Sequence, residues 1–236
     1  MIYNANYGIL TSERCHKLFT KINKRYLCDK CKSNRSDFSS KDQKGTSFYS
    51  NLLLGFSSTK ITASVDVLIV GEAHGGGRKE DFRKEQKDLW FEIDQIAKYY
   101  RKLPDKTFHQ QQIRILLENL DNSGVTWVFT DLIKCFVWHG FDKGYNLDGS
   151  FNWKTAIRYC SKYLEEQIEV LQPQKILGLG GTVARYFNLD KPEHGRDYAM
   201  KNRNCTYIHS LFPSRWTADQ WAVKKGWESI TPKLVS

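Results

Sequence analysis

No stretch of this 236-residue chain approaches the roughly 20 consecutive apolar residues that a membrane-crossing helix needs. The opening segment, Met1 to Leu10, also lacks the apolar core of a secretory signal. No internal repeat is visible, which leaves no reason to expect a solenoid or a propeller. Acidic residues are the minority charge: 26 Asp and Glu stand against 36 Lys and Arg, a formal net charge of +10. The expectation from these absences is a monomer that is cytoplasmic or nucleoid-associated, with no membrane partner and no secretion.

What the chain does contain points toward a polyanion. Lysine and arginine gain affinity for nucleic acid by displacing counterions from phosphates. The 7 tryptophans, 12 tyrosines and 13 phenylalanines add rings on which bases can stack, although most of them are needed for the core. In a reducing compartment the 6 cysteines read as thiols or metal ligands rather than as disulfides. Cys28 and Cys31 form a CxxC pair, Cys135 follows a predicted strand, and Cys160 sits in a predicted helix. Two sulfurs from one loop and two from distant segments satisfy the four ligands that a zinc ion or an iron-sulfur cluster requires. Spacing alone does not separate those two metals.

Residues 1–64 are basic, rich in Ser, Lys and Asn, and weakly periodic, so they read as an N-terminal arm carrying the CxxC and a loop. Residues 65–236 read as one α/β domain. Its first strand is the β-branched run Val65 to Val70, followed by a glycine-rich loop from Gly71 to Gly77. Helical spacing predicts helices over residues 87–101 and 110–120, and a second buried strand over residues 125–136. A helix from Trp153 to Leu171 stops before Pro173, and a third strand at residues 175–181 leads into a helix at residues 182–187. Cys205 to His209 is a fourth strand, and a loop then precedes a helix over residues 217–227. Strands alternating with helices predict a three-layer α/β/α sandwich around a central, four-stranded, mostly parallel sheet. In such sheets ligands bind at the carboxyl ends of the strands, which is where Glu72, Asp131 and His209 fall.

These pieces, in their shared order, resemble the uracil-DNA glycosylase superfamily, and most closely its family 4 branch, which carries a four-iron cluster. Val67 to Gly75 is similar to the family's hydrophobic strand and Gly-Glu-Ala-Pro-Gly motif, with His74 in place of the proline. Phe129 to Cys135 is similar to its Thr-Asn-x-x-Lys-Cys strand, with Asp131 where asparagine is usual. Cys160 to Leu171 and Ile176 to Ala184 resemble the next helix, strand and Gly-x-x-Ala segment. His209 to Ser214 resembles the His-Pro-Ser loop, interrupted here as His-Ser-Leu-Phe-Pro-Ser.

The resemblance implies a DNA glycosylase that hydrolyses the N-glycosidic bond of uracil, or of a related deaminated base, and so begins base excision repair. It assigns His209 the hydrogen bond to a carbonyl oxygen of the departing base. Glu72 and His74 are candidates for orienting or deprotonating the attacking water. Asp131 accepts hydrogen bonds but, when ionised, cannot donate one, so it reads a base edge differently from asparagine or serves the water instead. Gly71, Ala73, Gly75 and Ser214 would approach the substrate, with Phe82 as the stacking aromatic in place of the family's own. Arg215 and Trp216 would enter the DNA stack left by the extruded base. Cys28, Cys31, Cys135 and Cys160 land on the family's cluster positions, which favours a 4Fe-4S cluster over zinc. The rival expectation is a metal-pinned nucleic-acid-binding protein that keeps the fold and has lost the chemistry.

Overall fold

The computed structural model describes residues 48–52, 56–57, 65–75, 108–137, 153–214 and 217–236. Within them the chain runs β1 (Phe48–Leu52), β2 (Phe56–Ser57), β3 (Val67–Gly75), α1 (Phe108–Asn122), β4 (Trp127–Val137), α2 (Trp153–Leu171), β5 (Lys175–Leu179) and α3 (Gly181–Tyr186). It continues through β6 (Asp197–Ala199), β7 (Thr206–Ser210), α4 (Ala218–Val223), a 3-10 turn (Gly226–Ser229) and α5 (Thr231–Val235). None of the helices in the described residues is long and apolar enough to cross a membrane.

The β-branched run that starts at Val65 becomes the centre of the sheet because both of its faces are covered. Strand order is β1-β4-β3-β5-β7-β6, with β2 also paired to β4. The four inner strands, β4, β3, β5 and β7, are mutually parallel. Those are the four strands expected from sequence. The sheet is nevertheless wider than expected, because β6 adds antiparallel to β7, and β1 and β2 add antiparallel to β4. These edge strands are short, with β6 only three residues long and alternating exposed, half-buried and exposed, so periodicity had little to register. β1 and β2 lie within residues 1–64, the segment expected to form the N-terminal arm.

Alternation along the strands sorts the core into two layers. Val67, Ile69, Trp127, Phe129, Leu177, Leu179 and Ile208 share one face with Ile113, Leu116, Leu117 and Leu120 of α1, Trp221 of α4, and Leu234 of α5. The residues between them face α2 and α3. On that side Thr130 donates to Gln167 of α2 at 3.1 Å, and Tyr207 packs against Phe187, just past α3, at 5.1 Å. A three-layer α/β/α arrangement results, with α2 matching its expected bounds and α1 beginning two residues earlier than expected.

Two expected elements change character. Gly71 to Gly75 is not a loop but the continuation of β3, with Gly71 paired to Asp131, Ala73 to Ile133 and Gly75 to Val137. The neighbouring strand satisfies the backbone groups that a loop would have turned toward solvent. The helix expected over residues 217–227 is broken after Val223, where Lys225 and Gly226 adopt φ 59° and φ 44°. A side chain on Gly226 would come within 2.5 Å of the Trp221 indole nitrogen. The break lets Trp221 and Trp227 meet edge to face at 4.5 Å, and both indoles donate to Gln112, one to its side chain and one to its carbonyl.

Candidate active site

The carboxyl ends of β3 and β4 carry two acids in adjoining positions. Gly71 and Asp131 are paired neighbours, and a side-chain carbon on Gly71 would collide with Asp131 Oδ1. The carboxylate of Asp131 thus lies across the bare α-carbon of Gly71, only 3% exposed. Glu72 follows directly. Its side chain hydrogen-bonds to Thr182 in the first turn of α3, and Arg185, one turn on, donates to the same Thr182 hydroxyl at 3.4 Å. Burial pushes the Glu72 carboxyl above the usual carboxylate range. Thr182 and Arg185 oppose that rise, and the nearby charge of Asp131 adds to it.

An imidazole meets Asp131 from the α1 side, while Glu72, the next residue along β3 from Gly71, projects to the α3 side. His109 lies in the first turn of α1, and its ring stacks on Phe212 at 4.6 Å with the planes 23° apart. It also hydrogen-bonds to the backbone of Pro213, which has no N–H and can only accept. Burial lowers the His109 pKa, while the Pro213 bond and the charge of Asp131 act in the opposite sense. Nδ1 of His109 is buried and has no hydrogen-bond partner among the described residues.

The loop carrying Phe212 and Pro213 is tied down at several points. The Leu211 N–H donates to His194 Nδ1 at 3.0 Å, so the His194 proton is on Nε2, 3.1 Å from the Gly226 carbonyl. The Thr217 hydroxyl donates to the Phe212 carbonyl at 2.6 Å and accepts from the Ser214 N–H at 3.0 Å. Gly180, at φ 89°, lets the chain turn beneath Phe212 and donates its N–H to the Ser210 carbonyl at 2.8 Å.

His209 lies near the carboxyl end of β7. It alternates with Ile208 along β7, so its ring shares the α3 face with Tyr207, 6.5 Å away and nearly parallel to it. Asp131 projects to the α1 face with Phe129. The sheet stands between His209 and the Asp131–His109 cluster, and Glu72, bonded to Thr182 of α3, lies on the His209 side. His209 is 2% exposed, its Nδ1 is buried without a partner among the described residues, and burial, with His194 nearby, pulls its pKa down to about 4.

A family model of the uracil DNA glycosylase superfamily matches residues 59–231. The chain belongs to that superfamily. The matched segment runs from just before β3 to the start of α5 and includes Glu72, Asp131, His109 and the loop at Phe212. Superfamily members act on DNA and generally hydrolyse N-glycosidic bonds. No curated protein sequence matches this chain.

Of the other expected superfamily site residues, Ser214 is half-buried on the tied loop, while Ala73, His74 and Gly75 lie on β3 with side chains outside the described residues. Phe82, Arg215 and Trp216 lie outside the described residues altogether, as do Cys28 and Cys31. Cys160 is fully buried on α2, the helix packed against β4, and Cys135 lies on β4, its side chain outside the described residues. Among the described residues there is no group of three or more metal-ligating side chains.

His109, Thr182 and Arg185 were absent from the sequence reading. One signal for His109 was available: it extends the apolar stripe Ile113, Leu116 and Leu120 by one turn, at position i−4. A histidine on the buried stripe of a helix faces the sheet. Thr182 and Arg185 had no such signal, because their use depends on where Glu72 leaves β3.

Proposed function

We propose that this protein is a DNA glycosylase that removes uracil, or a related deaminated base, by hydrolysing its N-glycosidic bond. The observation that carries the reading is the adjacency of Glu72 and Asp131 at the carboxyl ends of two paired strands, in a chain of the uracil DNA glycosylase superfamily.

Cleavage of this bond passes through an oxocarbenium-like sugar while negative charge gathers on the departing base. A carboxylate near the sugar stabilises that cation and accepts a proton from the attacking water. Glu72 suits this work. Its raised pKa makes it a stronger base than a solvated carboxylate, and Thr182 and Arg185 hold it in one orientation. Asp131, buried over Gly71, faces the edge of an extruded base and accepts from its N–H groups. That preference supports a base presenting N–H donors and leaves the choice among deaminated bases to Asp131. The net charge of +10 supplies attraction for the DNA backbone.

Cys28, Cys31, Cys135 and Cys160 would hold a 4Fe-4S cluster, with zinc as the alternative. The group would supply a covalent tie between the N-terminal arm and the β4–α2 layer, and it has no part in bond cleavage. Purified protein is expected to be brown, with absorbance near roughly 400 nm from iron-thiolate charge transfer. Colourless protein with stoichiometric zinc would reverse the choice of metal.

The reading is tested by incubating the protein with an oligonucleotide carrying one uracil and then treating it with alkali. Strand breakage at the uracil position is the expected result. Tight binding without breakage would instead support a nucleic-acid-binding protein that has lost the chemistry.

A further inference from the structure

Two imidazoles lie near the carboxyl edge of this sheet, and they stand on opposite sides of it. His209 of β7 is buried on the α3 face beside Tyr207, the face on which Glu72 bonds to Thr182, with the sheet between its ring and Asp131. His109 comes from α1 on the same face as Asp131, close enough to feel its charge. The His109 ring is fixed from two directions, by stacking on Phe212 and by its bond to the Pro213 backbone. What that clamp leaves is one buried ring nitrogen, Nδ1, with no partner among the described residues. Leaving a buried polar atom unsatisfied is unfavourable unless something else completes it. Native interiors pair nearly all such atoms, and a ligand is one way of pairing them.

We infer that His109 contacts the extruded base, through its Nδ1 and alongside Asp131. The inference rests on the glycosylase reading given above and adds to it the residue that meets the base. A reacting group must be held within a fraction of an ångström of its productive position. Stacking and a backbone bond hold this ring, and the loop behind it is in turn fastened by His194 and Thr217. The helix that delivers His109 is anchored by four fully or nearly fully buried side chains, Ile113, Leu116, Leu117 and Leu120. His109 thus sits on a rigid element, while the mobile partner in the encounter is the nucleotide.

The test compares His109→Phe and His109→Gln with the unmodified full chain. Single-turnover base release is measured on oligonucleotides bearing uracil and other deaminated bases, together with affinity for abasic-site DNA and thermal melting. His109→Phe keeps the ring stacked on Phe212 and removes only the nitrogens. It is expected to slow base release by roughly 100-fold or more while abasic-site affinity stays within about threefold. His109→Gln, which restores a hydrogen-bonding group, is expected to recover part of that loss. A merely structural role would lower melting temperature and abasic-site affinity along with the rate. If the unmodified chain releases base and His109→Phe releases it within about threefold of that rate, the inference is overturned and the glycosylase reading stands. If the unmodified chain releases no base from any substrate, the glycosylase reading fails and the inference falls with it.

Discussion

Asp131 lies across the α-carbon of Gly71, so that the carboxylate of one strand fills the space a side chain of the next would take. That contact ties a backbone requirement to the chemistry of the site. A glycine is needed here for close approach, not for an unusual backbone angle. Gly71→Ala would force the buried Asp131 side chain out of its position. Overpacking of this kind typically costs about 1–3 kcal/mol. The expected outcome is a modest drop in thermal stability with a much larger loss of base release. A variant with unaltered activity would show that the Asp131 position is not used.

Asp131→Asn replaces an acceptor-only group with one that both donates and accepts. Its expected effect is on choice of base, not on fold: uracil, whose carbonyl beside the N–H an amide can donate to and a carboxylate cannot, should gain relative to a base with an exocyclic amine at that position. Competition between two lesions in one reaction reads the ratio directly. An unchanged ratio would remove Asp131 from base recognition.

Glu72→Gln keeps the size of the side chain and its hydrogen bond to Thr182 but cannot take a proton. Loss of a general base commonly costs roughly 100- to 10,000-fold in rate. Because burial raises the pKa of Glu72 above 4.5, the unmodified protein should lose activity as pH falls through that raised value, the carboxylate becoming protonated. The Gln variant should lack this acid limb. A pH–rate profile identical in the two proteins would assign the limb to another group.

Burial depresses His209 from an ordinary 6.5 to about 4, and the consequence for stability follows from proton linkage. Between those values the unfolded chain binds a proton that the folded chain refuses. The contribution is therefore fully present above about pH 6.5 and is lost as pH falls toward 4. Its size is on the order of 3 kcal/mol, at about 1.4 kcal/mol for each unit. His194 and His109, whose pKa values are also lowered, act in the same direction. Denaturant midpoints should fall from pH 6.5 to 4, and His209→Gln should flatten that slope. An equal slope in the variant would place the buried proton elsewhere.

The parallel centre of the sheet and the long helix from Trp153 to Leu171 were legible because each has a strong local signature. Apolar runs such as Val67 to Val70 are what a strand covered on both faces requires. The edge strands were not legible, since three exposed or half-buried residues at 197–199 depend on β7 for their pairing. For the site, strand-end position was enough to bring out Glu72 and Asp131, whose adjacency the sheet register then supplies. The alternation along β7, which sends the His209 ring to the α3 face, becomes visible only once the strand is placed in the sheet. Likewise, His109 lies 22 positions before Asp131 in the chain and reaches it only because the stripe of α1 docks on the face that Asp131 shares.

The most direct measurement is chromatographic identification of the free base released from oligonucleotides that each carry one deaminated base, using the unmodified chain and Glu72→Gln side by side. The expected result is a free base that accumulates with the unmodified protein and falls by roughly 100-fold or more with the variant. DNA that stays intact while the unmodified protein remains bound to it, for every lesion offered, would contradict the glycosylase reading.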